Sequence, residues 1–145
     1  MYAAADFGDS NTVVAYVKDG GSLNIMHNPY NGSYDYYVNA IAVSSSVVYL
    51  GGSCDNRTGG GGEDVAGYWA GNTWHPLPNT YGATYRAYVN VLAISGSDVY
   101  SGGCCFDSLG NQIAGYWKNT TWVSLPNART DITTSSTAVS LVVVQ

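Results

Sequence analysis

Short apolar runs recur along the chain, each closed by Ser, Gly, Asn or Pro. One series reads Ala40-Ile41-Ala42-Val43-Ser44, Val47-Val48-Tyr49-Leu50-Gly51-Gly52, Val65-Ala66-Gly67-Tyr68-Trp69 and Thr73-Trp74-His75-Pro76-Leu77. β-Branched and aromatic runs of this length, punctuated by turn formers, predict strands joined by hairpins and short loops. A 3.6-residue apolar period is absent, so no helix is predicted. The expected strands are a over Asn39 to Val43, b over Val47 to Gly51, c over Val65 to Trp69, and d over Thr73 to Leu77.

The pattern then repeats. Ala66-Gly67-Tyr68-Trp69 followed by Thr73-Trp74 and Leu77-Pro78-Asn79 returns forty-eight residues later as Ala114-Gly115-Tyr116-Trp117, Thr121-Trp122 and Leu125-Pro126-Asn127. Tyr30, Tyr34, Tyr37 and Asn39 return fifty-one residues later as Tyr81, Tyr85, Tyr88 and Asn90, and Gly51-Gly52 returns as Gly102-Gly103. Units of four antiparallel strands at about fifty residues are the signature of a β-propeller blade, in which small sheets bury their faces against neighbours. The fold class is therefore all-β, with blades over 38–79 and 89–127.

Composition agrees. Gly (18) and Tyr (13) are abundant while charged residues are only 10% of 145, which suits turns and half-buried strands better than helices. A net charge of −5, with five scattered cations, argues against nucleic acid or an anionic membrane as partner. No apolar run is long enough for a membrane-spanning helix, and Met1-Tyr2-Ala3-Ala4-Ala5-Asp6 lacks the pattern of a signal peptide. The expected location is extracellular or the cell surface, on the low charge and the Tyr, Ser, Thr and Asn content.

The Gly-Gly pair after strand b, a variable loop, then Tyr and Trp six residues apart (Tyr68/Trp74 and Tyr116/Trp122) resemble a kelch repeat. The first copy departs from it: Ala4-Ala5 stands in place of the Gly pair, Tyr16 is kept, and Leu23 replaces the Trp. Residues 1–28 then supply strands b, c and d of a blade without its a strand. Residues 138–145, beginning Ala138-Val139-Ser140-Leu141, read as an a strand without the rest. The chain thus holds three blades' worth of strands, one blade being split between the ends. Three blades are too few to close a ring. Three arrangements satisfy this: a homodimer closing six blades, a head-to-tail filament, or a window on a longer propeller.

The loops joining b to c and d to a are expected on one face. The b–c loops hold six of the ten acidic residues, and the d–a connections are rich in Tyr. Tyr rings beside Asn and Asp suit a neutral carbohydrate or a protein segment, since Tyr offers an apolar face and one hydroxyl at small entropic cost. The candidate ligand-binding residues are Tyr30, Tyr34, Tyr36, Tyr81, Tyr85, Asp55 and Asp107. Tyr37 and Tyr88 are read as packing residues, and all four Trp as core. Asp6/Asp9 and Asp55/Asn56 have some Ca²⁺-ligand character, but no loop has the alternating Asp pattern of a dedicated site. No metal or other cofactor is expected. Sequons at Asn31, Asn56 and Asn119 are glycosylation candidates. Cys54 and Cys105 occupy matching places, with Cys104 adjacent; buried thiols are favoured over a strained vicinal disulfide.

Catalytic groupings are thin. His27 and His75 fall shortly before the Asn that ends each unit, and neither a Gly-x-Ser-x-Gly elbow nor a phosphate-binding Gly loop occurs. Some relatives of kelch propellers are copper oxidases, so the resemblance also implies an alternative: a fragment of a kelch-type oxidase or lyase with its catalytic groups elsewhere. The favoured expectation is a non-catalytic structural or adhesive binding module.

Overall fold

The computed structural model describes residues 1–7, 13–30, 35–57, 63–126 and 136–143, and the side chains of all of these except residues 5–7 and 13. Eleven strands make three antiparallel sheets: β1 (Tyr2–Phe7), β2 (Val13–Lys18) and β3 (Asn24–Ile25); β4 (Tyr36–Ser44), β5 (Val47–Asp55), β6 (Asp64–Ala70) and β7 (Thr73–Pro76); β8 (Ala87–Ser95), β9 (Asp98–Phe106), β10 (Gln112–Lys118) and β11 (Thr121–Ser124). Each sheet is a meander in chain order. Among the described residues there is no helix, and none long and apolar enough to cross a membrane.

The second and third sheets share one register. Gly51 lies opposite Tyr68 as Gly102 lies opposite Tyr116, and Ala4 opposite Tyr16 puts β1 in the same relation to β2. β1 and β2 thus pair in the same relation as β5 with β6 and β9 with β10. The a and b strands are longer than the apolar runs suggested, because the ladder passes straight through the Gly pairs to Asp55 and Phe106. A β-bulge explains those pairs. Val38 and Ala40 pair with Gly52 and Gly51, leaving Asn39 extra, and Asn90 is extra in the same way between Val89 and Val91. At the bulge the neighbouring carbonyl leans in, so a Cβ on Gly52 would collide with the Tyr37 oxygen, and one on Gly103 with the Tyr88 oxygen.

The core lies between sheets. Val14, Met26, Tyr36, Val48, Leu50, Cys54 and Trp69 join the first sheet to the second. Ala66, Leu77, Val89, Leu92, Val99, Cys105 and Trp117 join the second to the third. Trp69 and Trp117 are fully buried. Trp74 and Trp122 are partly buried and pack against these clusters: they lie over Gly67 and Gly115, with ring centroids 4.4 Å from their fully buried partners. Trp117 Nε1 donates to the Pro78 carbonyl at 2.9 Å, a further tie between sheets.

The expectation of a strand over 138–145 is modified. Residues 136–143 form no strand ladder; they lie against the third sheet, with Ser136 N donating to Gln112 O and Ala138 N to Gly103 O, both at 3.1 Å. Asn90 Nδ2 donates to Thr137 Oγ1. The three cysteines are buried and free, with no vicinal disulfide.

Candidate functional site

In the second and third sheets the a–b and c–d hairpins lie together at one end, with Gly71 N bonded to Val48 O and Asn119 N to Val99 O, and the ends of β5 and β9 lie at the other, where Asn79 following β7 reaches Phe106 O. At this second end a repeated asparagine fixes the backbone. Asn28, following β3, donates through Nδ2 to the carbonyls of Asp35 (3.1 Å) and Asp55 (3.0 Å), and its Oδ1 accepts from Tyr30 N. Asn79, following β7, reaches the carbonyls of Tyr85, Arg86 and Phe106 at 2.9–3.1 Å and accepts from Tyr81 N. Each clasp ties the end of one sheet to the start of a and the end of b in the next.

Beside the second clasp lies a cleft of about 250 Å³ between the second sheet and the connection into β8, its walls including Tyr30, Asn56, Asp64, Pro78, Asn79 and Tyr85. Burial raises the Tyr30 phenol above its usual range. At the rim, Tyr88 OH donates to Asp64 Oδ2 at 2.6 Å, and Arg86 Nε lies 3.5 Å from Glu63 Oε2 and 3.9 Å from Asp64 Oδ2. Burial first, then the bond to the Asp64 carboxylate, hold the Tyr88 phenol protonated well above its ordinary range. An apolar and aromatic wall with one oriented carboxylate and fixed carbonyls can hold a hydroxyl-rich or peptide-like ligand by stacking and hydrogen bonds.

Of the residues expected to bind a ligand, Tyr30 and Tyr85 meet in this cleft with the sequon residue Asn56. Tyr81 is exposed on the same connection. Tyr36 is placed elsewhere: its ring is buried at 3% exposure against Trp69 and its hydroxyl donates to Met26 O at 2.8 Å, so strand alternation turns it into the core. Asp55 is also buried, its carboxylate taken up by Arg57 N and Nε, both at 2.9 Å. Asp107 caps its own loop, accepting from the backbone of Leu109 and Asn111 and from Asn111 Nδ2. Asn119 lies at the opposite end in the β10–β11 turn, at φ 55°, bonded to Asp98 and to Val99 N. Tyr34, Asn31 and Asp9 lie outside the described residues. The clasp asparagines and Asp64 were not singled out as site residues; the return of Asn28 as Asn79 was the available signal.

No protein-family model, curated protein or solved structure matches the chain. The kelch resemblance stands on the repeat alone.

Among the described residues no group of three His, Cys, Asp or Glu side chains is placed to hold a metal ion. The histidines do not form a pair: His75 stacks on Tyr68 at 5.0 Å, while His27 lines a separate cleft of about 240 Å³ with Trp69 and Trp74. In register His27 holds the place of Pro78, so the two are not equivalent, and neither lines the Tyr30–Tyr85 cleft.

Proposed function

We propose that this chain is a kelch-like β-propeller segment acting as a non-catalytic structural and binding module. It assembles by strand completion between chains and offers the Tyr30–Tyr85 cleft to a neutral carbohydrate or a protein segment. The observation that carries the reading is the row of equivalent sheets with unfilled places at its ends. Among the described residues the first sheet has b, c and d and no a, while 136–143 lies on the third sheet in the manner of an a strand. Unpaired edges and unpacked sheet faces drive association. Two chains of three blades' worth would close a six-bladed ring, and head-to-tail joining would give a filament. The exposed turn at Asn119 would accept a glycan if the protein is exported.

The test is molar mass in solution by light scattering along a dilution series. A mass of twice the chain, or one growing with concentration, supports the reading. A chain-sized mass at all concentrations removes it.

A further inference from the structure

The open edge of β1 has a matching strand within the sequence, and the repeat gives the register. In the second sheet β4 covers β5, pairing Ala40 with Gly51, Ile41 with Leu50 and Ala42 with Tyr49. In the third, β8 covers β9 with Val91 on Gly102, Leu92 on Ser101 and Ala93 on Tyr100. β1 is the counterpart of β5 and β9, and among the described residues nothing covers its outer edge.

The counterpart of β4 and β8 is found at the other end of the row. A Cβ on Gly51 would touch Val89 and Leu92 of the following a strand; a Cβ on Gly102 would lie 3.3 Å from Leu141 and 3.5 Å from Ala138. The spacing of three is the same in both, so Ala138 stands for Val89 and Leu141 for Leu92. Asn90 Nδ2 donates to the Thr137 side-chain oxygen, one position before the counterpart of Val89, whose carbonyl Asn39 Nδ2 bonds at 2.9 Å; this contact places the segment beside Asn90 and leaves the register to the glycine contacts. Exposure agrees. Ala138, Leu141 and Val143 are partly covered by the third sheet, whereas Val139 and Val142 are 79% and 80% exposed. The sheets are stacked in order, so this segment and β1 lie at opposite ends of one molecule.

We infer that residues 138–143 of one copy form the missing strand on β1 of a second copy, antiparallel, with Ser140 opposite Ala4, Leu141 opposite Ala3 and Val142 opposite Tyr2. This rests on the assembly proposed above and assigns it one interface. Opposite residues in an antiparallel pair put their side chains on the same face. Ala3 is exposed in the single chain, while Tyr2 and Ala4 pack on the core between the first two sheets. Pairing in this register sets Ala3 against the third sheet of the other copy, beside Leu141.

The test is disulfide trapping in the 145-residue chain. Ala3→Cys with Leu141→Cys gives an intermolecular disulfide under mild oxidation, seen as a dimer or a ladder on a non-reducing gel. Ala3→Cys with Val142→Cys, which turns one thiol to the other face, gives at least a tenfold lower yield. The parent chain, whose three thiols are buried, sets the background. Crosslinking through Val142 in preference to Leu141, or through neither, overturns the register. Amide exchange on the unsubstituted chain guards against misfolded variants: residues 2–6 gain protection in the assembled state and lose it on dilution, and equal exchange in both overturns the proposal. A parent that assembles while these residues stay unprotected sinks this interface alone; a parent that stays single-chain by light scattering sinks the assembly as well.

Discussion

Glycine carries more of this structure than its small size suggests, because at two repeated places something else occupies the Cβ position. At Gly103 that neighbour is the backbone carbonyl of Tyr88 at the bulge, which cannot swing aside as a side chain can. Gly103→Ala is expected to destabilise the fold by roughly 1–3 kcal/mol, the usual cost of overpacking, while Ser108→Ala in the exposed loop stays within about 0.5 kcal/mol; denaturant midpoints compare them. Asp107 gives a pH-dependent case. Its bond from Asn111, then the loop amides, hold its carboxyl below the ordinary 3.8. The folded value being depressed, its contribution is fully present above pH 3.8 and is lost as pH falls through the lower folded value. Amide exchange at Leu109 and Asn111 is expected to accelerate only below that pH, and Asp107→Asn to remove the dependence. The thiols behave oppositely. Burial, with Cys104 adjacent, pushes Cys105 up to about 12, so its neutral form is favoured below the ordinary 9 and any contribution is lost as pH rises through the folded value. At pH 8 a thiol reagent such as DTNB is expected to react with none of the three cysteines until denaturant is added.

At the scale of the element, the unit of construction is the clasp between sheets as much as the sheet itself. Asn79 Nδ2 lies within 2.9–3.1 Å of three carbonyls, those of Tyr85 and Arg86 just ahead of β8 and of Phe106 at the end of β9, and truncation removes this shared donor while the Arg86 carbonyl keeps its bond from Phe106 N. Asn79→Ala is expected to cost about 1–3 kcal/mol, and Asn28→Ala as much or more because Asn28 is buried. The distinguishing readout is local: amides around Arg86 and Phe106 exchange faster in Asn79→Ala, and those around Asp35 and Asp55 in Asn28→Ala. The strands were legible because apolar runs and turn residues alternate on a short period, and their equivalence was legible because Tyr, Trp and Gly return at fixed spacing. The lengths of a and b were not. Gly-Gly reads as the end of a strand when only the chain's own residues are considered, and becomes mid-strand once a bulge on the neighbour needs the space. Tyr36 was misplaced for a related reason. It sits in a Tyr-rich run that looks like one surface, but β4 begins at Tyr36, and alternation sends its ring inward while Tyr37 is 40% exposed. Asp55 and Asp107 looked like ligand groups because their partners, Arg57 and the amides of residues 109 and 111, are engaged through local geometry that composition does not reveal.

For the whole molecule, the arrangement of cores sets how stability depends on concentration. Each hydrophobic cluster lies between two sheets, so an inner sheet is covered on both faces and an end sheet on one. The outward faces are the exposed end of the row at β1 and the segment 136–143 with its exposed Val139 and Val142. If these meet between copies, the folded single chain is the less stable species, and association adds stability by mass action. Melting temperature is then expected to rise with protein concentration. Val142→Lys, placing a charge on the face turned away from the third sheet, is expected to abolish that rise while leaving the melting temperature of the most dilute sample nearly unchanged. Leu141→Lys differs because Leu141 already packs on its own third sheet beside Gly102; it is expected to lower the melting temperature at every concentration. Calorimetric scans of the three chains over a hundredfold concentration range separate the two effects. Parallel, concentration-independent melting of the parent would mean that the ends of the row are stable in water as single-chain surfaces, and the packing of 136–143 against the third sheet would then serve as a cap instead of a strand awaiting its neighbour.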